Sequence, residues 1–227
     1  MDDTLLAGRV VAVTGAEWPL VAGLARGLRA AGATVVAVPD AALATRAAAE
    51  AALGAIVAEH GSLAAVVHAA MDPVAYERVP MAEVDDARFD VVWEQTLRRA
   101  LFVLQAGHTQ MHADGGAFVV VTPVIGMAGA AGLAPYAAAL EGLRILAKSA
   151  ARQWGDRGIR VNVVAPAPEQ VPVGVVSGDL ALSPPALGRP GDPEADLGPV
   201  VAWLCSDGAR FVTGETMSID GGVWMAP

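Results

Sequence analysis

The sequence predicts one α/β domain in which helices cover both faces of a parallel β-sheet. Two observations favour this fold class. Short apolar runs of strand length alternate with longer stretches of helical composition, the pattern of repeated strand–helix–strand units. The length of 227 residues and a hydrophobic fraction of 54% provide for one large core. Since the sequence contains no repeat and no long linker, we predict a single domain over residues 1–227.

Six valine-rich runs are predicted as strands, because buried parallel strands are apolar on both faces. In chain order they are Arg9–Thr14, Ala33–Val38, Leu63–Ala69, Ala117–Val121, Ile159–Val164 and Glu215–Ile219. The predicted helices are Pro19–Ala31, Thr45–His60, Asp86–His108, Pro135–Trp154 and Pro193–Cys205. The segment Pro166–Pro190 is rich in Pro, Gly and Ser and is predicted as a loop.

Composition argues against polyanionic partners and against a membrane location. The net charge is −9, so no basic face is predicted for nucleic acid or an anionic membrane. The uncharged stretch Ala117–Leu140 is interrupted by Pro123 and Pro135, which favours a buried strand, a loop and a buried helix over a membrane span. The single cysteine, Cys205, and the acidic start of the chain predict a cytoplasmic location.

Three segments carry a resemblance to a known family. Residues 158–166 read GIRVNVVAP, and residues 187–222 run from LGRPGDPEADLG to a final SIDGG. The third segment extends from Gly115 through the helix that contains Tyr136. Together they resemble the short-chain dehydrogenase/reductase superfamily over nearly the whole chain. The resemblance implies a doubly wound, three-layer αβα sheet of the Rossmann type, and hydride transfer between NAD(P) and an alcohol or carbonyl compound.

The family's phosphate-binding turn is altered in this sequence. Thr14 and Gly15 match, but Pro19 and Val21 occupy the positions of the second and third glycines. The second glycine allows the backbone to approach the diphosphate, whereas proline has no N–H to donate. The neighbouring residues add negative charge and bulk, through Glu17 and Trp18. On these grounds we expect no bound cofactor, with Thr14 and Gly15 as vestiges of the turn.

The adenosine side of the pocket is predicted to be reduced as well. The family has a further helix and strand after its second strand, but here only the helix Thr45–His60 fits between Val38 and Leu63. The third strand of the family is therefore predicted to be shortened or missing. Pro39 occupies the position of the acidic residue that binds the ribose, and Asp40 beside it is a possible substitute.

Tyr136 is the single match to the family's catalytic set. Four residues later Leu140 replaces the lysine that favours the tyrosinate, and Pro123 and Thr96 replace the serine and the asparagine. An unperturbed tyrosine has a pKa of about 10 and is almost entirely neutral at pH 7. Tyr136 is thus the one candidate catalytic residue, with packing among apolar side chains as the alternative role.

Three further positions were compared with the family. His68 occupies a position that commonly holds asparagine, and Asn162 matches the family; structural roles are predicted for both. Val171 replaces the threonine that often binds the nicotinamide amide. The four histidines lack the spacing of metal ligands, so no metal site is predicted.

The segments with which the family associates are better preserved. These are the helices over residues 86–108 and 135–154 and the C-terminal strand. We therefore expect a tetramer or heterotetramer, formed with copies of this chain or with a homologous subunit. The preferred hypothesis is a non-catalytic structural or regulatory subunit. The alternatives are an NAD(P)-dependent oxidoreductase of alcohols or ketones, and a cofactor-independent cyclase, dehydratase or lyase that uses Tyr136. The sequence does not indicate the substrate.

Overall fold

Residues 4–15, 18–69, 73–111, 114–170 and 182–225 are described by a computed structural model. Within these residues six parallel strands form one sheet in the order β2-β1-β3-β4-β5-β6. The strands are β1 (Val10–Thr14), β2 (Thr34–Val38), β3 (Ala65–His68), β4 (Gly116–Val121), β5 (Ile159–Pro166) and β6 (Thr216–Ile219). The predicted α/β class and the parallel sheet are confirmed.

Helices cover both faces of this sheet. They are α1 (Pro19–Ala30), α2 (Arg46–His60), α3 (Asp86–Trp93), α4 (Arg99–Met111), α5 (Ile125–Ala128), α6 (Ala134–Trp154) and α7 (Gly198–Cys205). Leucines and alanines of α1 and α7 fill the core on one face, and those of α2, α4 and the later turns of α6 fill the core on the other. This is the predicted three-layer arrangement.

Several element boundaries differ from the predictions: the predicted strand Leu63–Ala69 is Ala65–His68, and the predicted helix Pro193–Cys205 is a π-helical turn, Pro193–Leu197, followed by α7. The helix predicted over Asp86–His108 is α3 and α4 joined by one π-helical turn, Glu94–Arg98, and it continues to Met111. The strand predicted over Ile159–Val164 extends to Pro166, because Ala165 and Pro166 pair with β6. Residues 171–181 of the predicted loop Pro166–Pro190 lie outside the described residues.

The connection after β2 is short. A 3₁₀ turn, Asp40–Leu43, leads directly to α2, and β2 is an edge strand of the described sheet. The predicted shortening of the family's third-strand region is therefore confirmed. The strand order also has a functional consequence. The chain reverses its direction of winding between β1 and β3, and such a switch point opens a crevice at the carboxyl ends of the strands.

Among the described residues, no helix is both long enough and apolar enough to span a bilayer.

Candidate active site

Gly15 shapes the crevice between β1 and β3. It follows the last residue of β1 and has a φ of +74°, in the left-handed region that favours glycine. A Cβ at this position would lie 2.1 Å from the carbonyl oxygen of Ala69 and 3.6 Å from a methyl group of Val21. Gly15 can therefore lie against the end of β3 only because it has no side chain.

The N-terminus of α1 follows the carboxyl end of β1, since the helix begins at Pro19, four residues after Gly15. Its N-cap residue, Trp18, makes no side-chain hydrogen bond to the first turn, and an indole has only a donor to offer. Pro19 occupies the first turn, where the missing N–H is one that the helix would leave unbonded in any case. The amides of the next two residues, Leu20 and Val21, lie at the positive end of a twelve-residue helix, the usual binding place for a phosphate. Glu17 lies outside the described residues.

The side chain of Val21 does not prevent close packing of α1. It is fully buried and takes part in the core beneath β1. Pro19 and Val21 were the two residues against phosphate binding by this turn. Both are compatible with a helix N-terminus whose remaining amides can bind a phosphate.

Tyr136 lies in the first turn of α6 with 1% of its surface exposed. Its hydroxyl is 2.8 Å from the hydroxyl of Tyr76, and the two ring centroids are 4.9 Å apart. Tyr76 belongs to a 3₁₀ turn, Pro73–Tyr76, between β3 and α3. Sequence analysis missed Tyr76, since no spacing or motif relates two residues that lie 60 positions apart. The signal that could have found it is composition, because the chain has only these two tyrosines.

Electrostatics keep both phenols neutral at physiological pH. Burial raises the pKa of Tyr136 well above its ordinary value, and the hydrogen bond from Tyr76 acts in the opposite direction. The pKa of Tyr76 is raised by burial, by the proximity of Tyr136 and by the same hydrogen bond. The pair can therefore donate protons, and each hydroxyl can support the charge of the other.

The other family positions lie in the core. Leu140, one turn after Tyr136, is 1% exposed and packs closely against α5, since a Cβ on Gly126 would lie 2.8 Å from the Cβ of Leu140. Pro123 is buried just beyond β4. Thr96 lies in the π-helical turn with a buried hydroxyl that has no hydrogen-bond partner among the described residues. None of these three side chains supplies a charge to Tyr136.

His68 and Asn162 make contacts that hold strands together. The Nδ1 atom of His68, at the end of β3, is 2.7 Å from the hydroxyl of Thr14, at the end of β1. Burial and, secondarily, Arg99 lower the pKa of His68 to about 3, so the ring is neutral at pH 7. The side-chain amide of Asn162 donates to the carbonyl of Val212, and its oxygen accepts from the amide of Glu215. Val171 lies outside the described residues.

In the part of the chain that the structure describes, no three His, Cys, Asp or Glu side chains come together to hold a metal ion.

Comparison with known proteins gives a consistent family. A family model described as enoyl-(acyl carrier protein) reductase matches residues 7–224. An uncharacterized oxidoreductase of Mycobacterium tuberculosis is 33% identical over an alignment of 239 residues, gaps included. The alignment covers 96% of this chain and 85% of the relative. A cis-4-hydroxycyclohexanecarboxylate dehydrogenase of Sinomonas cyclohexanicum is 35% identical over 171 residues, 73% of this chain and 67% of the relative. The crystal structure of a dehydrogenase/reductase from Sinorhizobium meliloti 1021 superimposes with a TM-score of 0.85 at 26% identity and covers 99% of both chains.

These relatives overturn two expectations from the sequence. A non-catalytic subunit without a cofactor was expected, but the matched family is a reductase family and the relatives are named as oxidoreductases and dehydrogenases. The expectation was wrong because it treated the amide lost at Pro19 as essential for phosphate binding. The crevice and the helix terminus that the fold provides for a dinucleotide do not depend on that amide.

Proposed function

Because this chain belongs to the short-chain dehydrogenase/reductase superfamily, we propose that it is an NAD(P)-dependent oxidoreductase that interconverts a hydroxyl and a carbonyl group. One observation carries the proposal for this chain. A buried phenol, Tyr136, is held by a second hydroxyl in the first turn of α6, at the family's catalytic position.

The described residues fit a dinucleotide at the switch point. Gly15 allows the backbone after β1 to lie directly against the end of β3, and the N-terminus of α1, which begins four residues later, offers amides and a positive dipole to a diphosphate. Asp40, two residues after the end of β2, is the acidic residue to which we assign the ribose contact. The bound nicotinamide would supply or accept the hydride.

The chain's own contribution is a proton at a defined atom. In the reducing direction the hydroxyl of Tyr136 donates to the carbonyl oxygen of the substrate, and in the oxidising direction the phenolate accepts the proton of the alcohol. Ile125, Leu133 and Leu140 belong to the same buried cluster as Tyr136 and exclude water from it. These apolar neighbours favour an apolar alcohol or ketone as substrate.

The test is the removal of one oxygen atom. Purified protein is incubated with NADH or NADPH and a panel of ketones, and loss of reduced nicotinamide is followed by absorbance. We expect Tyr136→Phe to lower kcat by about 10²–10⁴-fold, the usual contribution of a general acid, while cofactor affinity is retained. Phenylalanine keeps the ring in the core. Equal rates for variant and wild type, or no turnover by the wild type with either cofactor, would contradict the proposal.

We also propose that copies of this chain associate through α3, α4 and α6. A groove of about 320 Å³ lies between these helices and is lined by apolar groups such as Trp93, Leu97 and Ile145, the last of which is 55% exposed. Burying this surface against a second copy would remove it from water. The substitution Ile145→Glu would place a charge in the contact, so light scattering should show a smaller assembly than for the wild type. An unchanged mass would contradict this assignment.

A cytoplasmic location is proposed on the basis of Cys205. This single thiol is buried, and burial raises its pKa to about 12, so it is neither paired nor reactive. A protein with no disulfide for its stability suits a reducing compartment.

A further inference from the structure

The position one turn after Tyr136 offers no cation. Leu140 is buried against α5, and its side chain can neither donate a hydrogen bond nor support a negative charge. A phenol that gives up its proton in such an apolar cluster must be stabilised by another group, since burial penalises the phenolate. The polar group that the structure places at the phenol oxygen is the hydroxyl of Tyr76, at 2.8 Å, and it can donate a hydrogen bond to that oxygen once Tyr136 has lost its proton.

We propose that Tyr76 is a positioning residue whose hydroxyl donates a hydrogen bond to the oxygen of Tyr136 as that oxygen gives its proton to the substrate. This inference rests on the proposed function. In the reducing direction the substrate carbon receives a hydride from the reduced nicotinamide, and the substrate oxygen takes the proton of Tyr136. The negative charge then rests on the Tyr136 phenolate, which Tyr76 stabilises until solvent returns a proton.

The fold fixes the position of Tyr76. Its 3₁₀ turn is clamped by Arg88 of α3, whose guanidinium donates to the carbonyl oxygens of Val74 at 3.0 Å and Glu77 at 2.8 Å. The same guanidinium is 2.8 Å from the carboxylate of Glu77. The Tyr76 ring also packs against Trp18, with centroids 6.2 Å apart. Contacts from α3 and from the N-cap residue of α1 thus hold the turn and the ring that carry this hydroxyl.

Several charged groups of the surrounding elements pair with one another, while α3 also carries Asp86 and Asp90, α4 begins with Arg99, and the later turns of α6 carry Lys148 and Arg152. The helices and turns that pack around the tyrosine pair carry three ion pairs, Glu77–Arg88, Glu94–Arg98 and Glu141–Arg144, and Arg78, whose stem packs against Gly132. The three ion pairs have no net charge. Burial raises the pKa of Tyr136, and its hydrogen bond with Tyr76 lowers that pKa. The titration of Tyr136 should therefore report on Tyr76.

Because the chain has only two tyrosines, each can be titrated alone. The protein is labelled with 3-fluorotyrosine, whose phenol is more acidic than that of tyrosine, and ¹⁹F NMR follows ionisation against pH. In Tyr76→Phe the remaining phenol, Tyr136, should ionise about one to two pH units above the first ionisation of the labelled wild type, the shift expected when a hydrogen bond to a charged group is lost. The matched control, Trp154→Phe, changes an aromatic residue in the core on the other face of the sheet and keeps both hydroxyls and their contacts, so its first ionisation should match the wild type.

Coincident titrations of Tyr76→Phe and the wild type would overturn the inference. Should Tyr76→Phe fail to fold, Arg88→Gln releases the turn while it keeps both phenols, and a shift in the same direction is expected; no shift there would overturn it equally. The titration needs no cofactor, so its outcome is independent of the proposed function. In the active protein, Tyr76→Phe should lower kcat about tenfold to a hundredfold at unchanged KM and should move the pH profile of kcat. An inactive wild type would refute the proposed function and would leave the result of the titration as it is.

Discussion

Replacing Gly15 by alanine tests whether the crevice is shaped as described. The added methyl group meets two penalties. The backbone at Gly15 has a φ of +74°, which costs an alanine about 1–2 kcal/mol. The new Cβ would also lie 2.1 Å from the carbonyl oxygen of Ala69, a separation that real Cβ atoms do not show. Relieving that contact requires the loop after β1 or the end of β3 to move, at a further cost of about 1–3 kcal/mol.

The chain contains a matched control for the first penalty. Gly8 has a φ of +75°, and a Cβ there would have no neighbour within 4 Å. Gly8→Ala should therefore lose only the conformational part, about 1–2 kcal/mol of unfolding free energy, while Gly15→Ala should lose about 2–5 kcal/mol. Urea unfolding at pH 7 measures both. With a slope of about 3 kcal/mol/M, the midpoint should fall by about 0.3–0.7 M for Gly8→Ala and by about 0.7–1.7 M for Gly15→Ala. Equal losses would contradict the close approach of Gly15 to the carbonyl oxygen of Ala69.

Two more predictions concern stability. His68 has a pKa of about 3 in the folded protein and about 6.5 when unfolded, so the unfolded chain takes up a proton that the folded one refuses as the pH falls below 6.5. Below about pH 6.5 the unfolding free energy should decrease by up to about 1.4 kcal/mol for each pH unit. Urea unfolding at several pH values measures this slope, and His68→Asn should remove the part that comes from His68. An unchanged slope would contradict the burial of this imidazole. At the contact of α1 with α7, a Cβ on Gly27 would lie 2.8 Å from the Cα of Gly198, so Gly27→Ala should cost about 1–3 kcal/mol. A Cβ on Gly54 in α2 would have only a side-chain nitrogen within 4 Å, at 3.6 Å, so Gly54→Ala should instead raise the unfolding free energy by up to about 1 kcal/mol. Equal melting temperatures for the two variants would refute the close packing of α1 on α7.

The sequence predicted the sheet well because its signals are local. Each strand is a run of apolar residues bounded by polar or glycine-containing segments, and burial on both faces leaves such runs no other stable place. The shortening after β2 was also predictable, since too few residues separate Val38 from Leu63 for an additional strand and helix. The π-helical turn at Glu94–Arg98 was not, because its sequence EQTLR has ordinary helix-forming character.

The candidate site was only half predictable. Tyr136 was found because it sits in a family motif, whereas Tyr76 lies on an irregular turn whose position depends on the clamp made by Arg88. A contact between hydroxyls 60 residues apart is a property of the tertiary structure and leaves no periodic signal. The interpretation of Pro19 failed for a different reason. The residue was compared with the glycine it replaces rather than with the helix position it occupies, where an amide is not needed.

The central claim, that α1 and Gly15 form a dinucleotide site, is tested most directly by cofactor binding. Titration calorimetry with NADH and NADPH should show saturable binding of one molecule per chain, with a Kd between about 1 μM and 1 mM for the preferred coenzyme. Tryptophan fluorescence should be quenched in parallel, and Trp18→Phe should reduce that quenching, because Trp18 caps the helix at the site. The absence of saturable binding for both coenzymes would contradict the account.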